Sequence, residues 1–452
     1  MNNENNIEKI EEEIQFDNEL QKNDIESNNF DFFEMSLDEY LDLESVIFEM
    51  IYEYLCCNVS KYSSQKFHDE LLNEIANYFY EEWLIYELIS EEDYDCVHDI
   101  IYVMIENFYD IYENEFPKRS YICSNIIKNI NKNEITNMLE YIRNIDQPKQ
   151  RTKEWYDFRQ NIITASNVHK VLGSQTQINN FILEKSKPYV VKPINYYVKN
   201  SRQWGNIYEP LSIKIYEKLY HTKVEDFGCI QHQKYSFLGA SPDGINVDIN
   251  SDRYGRMIEV KNIYNRDITG IPKEDYWIQM QIQMETCNLD ECDFIETRFK
   301  ECENENDFYE DEKSEWKGVI LCFVKKSMLD EKTPIYEYYP LYDQVNKNEI
   351  DMWIQSLTEK LGDTFQIYSK HYWYLDEFSC VLVKRNTKWF DVILPKIEEV
   401  WKMVEKEKEK VKERKIESNN NCKIIEIFND EFPKNSDNLT LVMENDVKKV
   451  FI

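Results

Sequence analysis

Ser241-Pro242-Asp243-Gly244, followed by Glu259-Val260-Lys261, places two carboxylates and an ammonium on what reads as a pair of neighbouring strands. Along Met257-Ile258-Glu259-Val260-Lys261 side chains alternate faces, so Glu259 and Lys261 point one way while Ile258 and Val260 pack behind them. Asp243 sits where an apolar segment (Tyr235, Phe237, Leu238) breaks at a Pro-Asp-Gly turn. These residue types suit metal-dependent phosphodiester cleavage. Hard carboxylate oxygens hold Mg²⁺, and a lysine steadies the attacking water or the charge developing on phosphate. A plainer reading stands beside this one: Pro-Asp-Gly turns are common, and Glu-x-Lys on a strand is most often a solvated face.

Positioning such residues needs an α/β framework, and residues 150–350 have that texture. Thr164-Ala165-Ser166-Asn167 reads as a helix start with Gly173 as its stop. A helix from Gly205 to Tyr220 carries Ile207, Leu211, Ile215 and Leu219 on one side, with Pro210 in its first turns. Strand candidates follow at 226–238, 255–263, 293–299, 317–325 and 334–341, and a helix bearing Gln279, Gln281 and Gln283 lies between the second and third. Upstream, Ser36-Leu37-Asp38-Glu39 is a capping box that opens an acidic bundle of about four helices over 31–145. Residues 1–30 are Asn- and Glu-rich and read as disordered. Asp146–Gln150 reads as a linker, 351–416 as a helical region ending in a long charged helix near 387–415, and 417–452 as an Asn-rich tail.

Charge alone would argue against a nucleic-acid partner, since the 452 residues carry a formal −33. Its distribution along the chain points the other way. Residues 1–150 hold 10 Lys+Arg against 35 Asp+Glu, whereas 151–300 hold 20 against 19. A local positive groove therefore remains compatible with the middle of the chain. The 11 cysteines and 6 histidines are scattered without CxxC pairing, which indicates neither a zinc site nor a disulfide framework and fits reduced thiols inside a cell. No apolar stretch approaches the roughly 20 residues that span a bilayer, and Met1-Asn2-Asn3-Glu4 lacks the opening of a secretory signal. The expectation is a cytoplasmic protein without a membrane partner. The richness in Asn, Lys, Ile and Tyr suggests an AT-biased genome such as that of a large DNA virus, which would make the compartment the host-cell cytoplasm.

Four segments occur in a particular order: Glu154-Trp155-Tyr156-Asp157-Phe158-Arg159 with Ile163-Thr164-Ala165-Ser166; Trp204-Gly205-Asn206-Ile207-Tyr208-Glu209; the Ser-Pro-Asp-Gly and Glu-Val-Lys pair; and Tyr276-Trp277-Ile278-Gln279-Met280-Gln281. Each is weak alone, but in register they resemble the YqaJ-type viral recombinase and phage lambda exonuclease family of PD-(D/E)xK nucleases over the middle third of the chain. The resemblance implies a restriction-endonuclease-like fold, a mixed central sheet flanked by helices. It assigns Asp243 and Glu259 as principal ligands of Mg²⁺ or Mn²⁺, with Glu209 and Val260 completing the metal set, and Lys261 as the catalytic lysine. By the same resemblance Gln279 orients a water or the substrate, while Arg159 and Ser166 bind a DNA phosphate.

Two departures stand out. The connection Ile245–Ile258 is longer than in the phage enzyme, which implies an enlarged hairpin, and Gln233 stands where that enzyme has a further acid. Each assigned residue also has an ordinary alternative. Glu209 could be a first-turn acid favoured by the helix dipole, Gln279 and Gln283 a surface pair one turn apart, and Arg159 a salt-bridge partner. Trp155 and Trp204 read as core anchors.

The implied activity is a metal-dependent 5′-to-3′ exonuclease on linear duplex DNA ends, acting in recombination or genome processing. A single-strand annealing protein and a homotrimeric ring are the partners such an enzyme suggests. An endonuclease or RNA-processing nuclease could use the same site. From a different class, the acidic N-terminal region admits a non-catalytic protein that mimics DNA or recruits partners, although intact Asp243, Glu259 and Lys261 argue against a decayed site.

Overall fold

The computed structural model describes residues 36–120, 131–148, 152–189, 200–326, 334–342 and 345–430, with side chains as far as 414. The segment read as disordered and the end of the Asn-rich tail lie outside the described residues. The chain divides into two compact units, Met1–Lys118 and Arg119–Ile452.

The first unit holds three α-helices among its described residues: α1 (Leu37–Cys57), α2 (Phe67–Ile85) and α3 (Tyr94–Ile111). Helix α1 starts where Ser36 and Glu39 cap each other reciprocally. Three- and four-residue spacing lines up Ile47, Ile51 and Leu55 on α1, Phe67, Leu71 and Ile75 on α2, and Val97, Ile101 and Phe108 on α3, all buried between the helices. The edge of Phe48 meets Phe108 at 5.4 Å.

The second unit opens with α4 (Lys132–Asn144). The sequence pattern assigns this helix to the acidic bundle; its partners belong to the second unit instead. Thr136 Oγ1 lies 2.8 Å from Tyr254 Oη, Lys132 Nζ donates to the Ile249 carbonyl at 2.8 Å, and Arg143 pairs with Glu225 at 2.6 Å. An amphipathic pattern shows that a helix packs, but not which neighbour receives it.

There follow α5 (Lys153–Gln160), β1 (Ile163–Thr164), α6 (Val168–Leu172), α7 (Gln175–Ser186), α8 (Ser201–Leu219), β2 (Val224–Glu225), β3 (Ile230–Gln231), β4 (Leu238–Ala240), β5 (Gly244–Asn246), β6 (Met257–Asn262), α9 (Glu274–Cys287), β7 (Glu291–Glu301), α10 (Glu305–Glu310), β8 (Lys317–Lys325), β9 (Ile335–Tyr338), α11 (Lys347–Leu361), β10 (Phe365–Lys384) and α12 (Thr387–Asp430). The main sheet has the order β2-β5-β6-β7-β10-β8-β9, with β6 and β7 parallel and the other neighbours antiparallel. A small sheet, β1-β4-β3, stands beside it. The mixed sheet flanked by helices is the architecture expected.

One element reverses the expectation of helix beyond residue 350. Residues 365–384 form β10, the sheet's longest strand, paired with β7 on one side and β8 on the other. Aromatic and β-branched residues crowd this stretch (Tyr368, Tyr372, Trp373, Phe378, Val381, Val383), and such residues suit a pleated surface. Their frequent charged neighbours imitate a helical face. Past this strand the charged helix does form, and it continues through residue 430, into the segment read as tail.

Helices α8 and α9 cover opposite faces of β6 and β7. Tyr216 packs with Ile258, Val260 and Ile295 on one face, and Ile207, Tyr208, Leu211 and Ile215 extend that layer to Phe299, Ile320 and Trp373. Strand alternation then turns Glu259 and Lys261 toward α9. The enlarged β5–β6 connection is locked from within: Arg253 and Arg256 both pair with buried Asp293 of β7, which also accepts the Tyr216 hydroxyl at 2.7 Å. The chain re-enters β6 through Gly255, with φ +81°, where a Cβ would stand 2.5 Å from Ile135 of α4.

Candidate active site

Glu259 is fully buried, and a carboxylate in that position needs partners. It has three. Gln279 Nε2 donates to Oε1 at 2.8 Å, Gln283 Nε2 donates to Oε2 at 2.8 Å, and the Lys261 ammonium pairs with Oε1. The two glutamines stand one turn apart on α9, so a single helix face meets the single strand face that carries Glu259 and Lys261. Lys261 also lies over the Tyr276 ring at 4.7 Å.

Asp243 arrives from the other direction. The Pro-Asp-Gly turn between β4 and β5 brings its Oδ2 within 2.7 Å of the Val260 amide, which donates to it. The Val260 side chain meanwhile packs in the α8 layer. A cavity of about 410 Å³ opens on Asp243 and is shared by Glu209, Gln279, Arg159 and Ser166. Seven of the eight residues singled out from the sequence thus either line this cavity or sit directly behind it on β6, and the eighth, Val260, holds Asp243 by its amide.

Local structure explains each placement. Glu209 precedes Pro210, which lies in the middle of α8 because the helix begins at Ser201 and not at Gly205. Proline removes an intrahelical donor there, beside the cavity. Ser166 belongs to the tight turn Ala165–Asn167 that leads from β1 into α6, 3.3 Å from Thr164 Oγ1. Arg159 closes α5, stacks over Trp155 at 4.4 Å and donates to Ser241 Oγ at 3.4 Å.

This region matches a known family. Residues 154–290 fit the family model of the YqaJ-like viral recombinase domain. Beyond it, an uncharacterised protein of Acanthamoeba polyphaga mimivirus is 24% identical over 390 residues, which cover 76% of this chain and 68% of that protein. Among solved structures, an alkaline exonuclease (LHK-Exo) from Laribacter hongkongensis is 19% identical, with 59% of this chain and 99% of that one covered and a TM-score of 0.35. A phage-related exonuclease from Haemophilus somnus is 15% identical, with 56% and 96% covered and a TM-score of 0.30.

The electrostatics of residues 154–290 follow from this packing. Enclosure first, then the neighbouring charges of Glu259 and Glu209, drive the Asp243 carboxyl well above the ordinary carboxylate range. Burial would lower the Lys261 ammonium, but the charges of Glu259 and Asp243 outweigh it and hold the group above its ordinary value. The cavity donors are hard oxygens without sulfur or imidazole, and their mutual repulsion is what a divalent cation would relieve. Among the described residues no three His, Cys, Asp or Glu side chains are drawn into a closed cage.

Four participants are not apparent from the sequence. Gln283, readable as half of a surface pair, is completely buried against Glu259 and also donates to the Ser241 carbonyl at 3.3 Å. Ser241 and Asp226 line the cavity, and burial raises the Asp226 carboxyl. Trp155, read as a core anchor, lines it too. The Gln279–Gln283 spacing is the available signal for the first; nothing local marks Asp226.

Proposed function

We propose that this chain is a divalent-metal-dependent deoxyribonuclease that degrades linear duplex DNA from its ends, 5′ to 3′, in viral-type recombination or genome processing. One observation carries the reading: the cavity that gathers Asp243, Glu209, Gln279, Arg159 and Ser166, with Glu259 and Lys261 behind it, falls inside the YqaJ-like domain. Asp243, Glu259 and Glu209, with Val260 beside them, are the residues that would hold Mg²⁺ or Mn²⁺. When bound, the cation supplies Lewis-acid stabilisation of the phosphate and lowers the pKa of water.

The remaining steps belong to the chain. Arg159 and Ser166 seat a phosphate at the cavity wall, and the Trp155 ring keeps the guanidinium extended. Gln279 orients the attacking water through the amide that already grips Glu259. Lys261, held as an ammonium by its carboxylate neighbours, stabilises charge developing on the phosphate in place of removing a proton.

Purified protein incubated with linear and with covalently closed circular duplex DNA, with and without Mg²⁺ or Mn²⁺, tests this. Cation-dependent release of nucleotides from linear DNA alone is expected, with Asp243→Ala inactive and Lys261→Ala slowed while DNA binding persists. Release from end-blocked or circular DNA would replace the exonuclease by an endonuclease. Wild-type protein as inert as Asp243→Ala would end the reading.

A further inference from the structure

The second unit has another cavity besides the one that opens on the carboxylates. It measures about 1000 Å³ and opens on the far side of the α8 N-terminal turns, between the end of β7, β9 and the start of β10. The two cavities share α8. Trp204 and Ile207 line the large one, Glu209 and Pro210 the catalytic one, and the five-residue step from Trp204 to Glu209 is about 7.5 Å of helix. Tyr264, also in the large cavity, follows Lys261 by three residues, about 10 Å of extended chain.

Its walls are aromatic. Trp204 and Tyr264 form one side, edge to face at 5.2 Å, and Tyr368 and Tyr374 of β10 lie across from them. Tyr264 is 58% exposed and Tyr368 57%, so both keep ring surface toward solvent. Trp204 Nε1 is sealed from solvent without a hydrogen-bond partner among the described residues, a donor in want of an acceptor. Three cations reach the same space: Arg298 and Lys300, tethered by acids of β10, and exposed Lys370. The lining also carries two acids, Glu303 and Glu301, the latter engaged by the Tyr208 hydroxyl at 3.0 Å and His371 at 2.9 Å.

Aromatic faces interleaved with cations along a groove are what unpaired nucleic acid needs, since every base has a face to stack and every phosphate a charge to place. We propose that this cavity binds single-stranded DNA, the strand released when its complement enters the catalytic cavity one α8 turn away. The proposal rests on the nuclease reading above and adds to it a second site, built largely outside the segment that matches the recombinase domain.

The test is fluorescence anisotropy of a labelled oligo-dT of about 12 nucleotides, within the usual site sizes, on the full-length Asp243→Asn chain without added metal. Replacing Tyr264 and Tyr368 by alanine should weaken binding at least about fivefold for each ring, and phenylalanine at both positions should restore it to within about twofold. Lys370→Glu should weaken binding and flatten its dependence on salt. Alanine variants that bind as tightly as the parent overturn the proposal, as does failure of phenylalanine to rescue. So does complete displacement of the oligonucleotide by millimolar dAMP, which would mark a mononucleotide pocket. Metal-dependent cleavage is scored separately: cleavage with unaltered oligo-dT binding in the variants sinks only this inference, whereas absent cleavage sinks the nuclease reading.

Discussion

Glu259 concentrates the chemistry of the second unit in one buried carboxylate, and its environment makes specific demands on α9. Because Gln283 supplies the donor at Oε2, Gln283→Leu would leave a buried oxygen unsatisfied. A loss of about 1–3 kcal/mol in urea unfolding is expected, together with slower cleavage. Asp243 makes the opposite demand, since its folded pKa lies above the unfolded one. Whatever stability this group contributes is complete below the unfolded value and is lost as pH climbs through the folded one. In metal-free protein Asp243→Asn should therefore raise Tm, with a gain that grows from about pH 4 upward; scanning fluorimetry across pH reads this directly. A proton and a cation compete for the same oxygens, so the Mg²⁺ concentration for half-maximal cleavage by wild type should fall as pH rises. Asp243, Glu259 and Lys261 are legible because a turn signal and strand alternation fix where such side chains point. Gln283 is not, because helical spacing pairs it with Gln279 without saying which way that face looks.

Elements fix these residues through contacts that sequence periodicity conveys unevenly. The β5–β6 connection is anchored where Arg253 and Arg256 reach Asp293. Asp293→Ala would strand two buried guanidinium groups, and a loss of about 3–5 kcal/mol is expected in chemical denaturation. The test is sharp because Asp293 lies away from the cavity: metal-dependent cleavage should survive at low temperature and collapse with the fold. Helix α9, with Tyr276-Trp277 and its glutamines, can be read from the sequence, as can the short strands around it. Strand β10 cannot. Its apolar alternation is interrupted by Lys370, His371, Asp376 and Glu377, and the register shifts near Ile367 and Leu375 break the two-residue period. Bulges of this kind disturb a pattern without disturbing the pairing. Helix α4 is evident from its pattern but not its neighbour, since its buried Leu139 and Ile142 specify an apolar partner and not that partner's identity.

Across the whole molecule, charge is the property most plainly written in the sequence. Residues 1–118 carry 5 Lys+Arg against 32 Asp+Glu, a balance of −27 within the total of −33. The second unit is left at −6, and the cavity walls of Arg159 and of Lys370 stand within it. Tethered to a second unit that acts on DNA as proposed, a polyanionic unit would lower the local concentration of DNA by repulsion, whatever its own role. Removing residues 1–118 should therefore speed association with duplex DNA, by on the order of tenfold at low ionic strength. Salt decides whether this is electrostatic. The screening length shrinks from about 10 Å at 0.1 M to about 3 Å at 1 M, so the full-length and shortened chains should converge as salt is raised. Stopped-flow association of labelled duplex with both chains, over a series of salt concentrations, measures the effect. A difference that persists at high salt would point to a contact specific to the acidic helices, and equal rates at every salt concentration would show that their charge has no bearing on DNA capture.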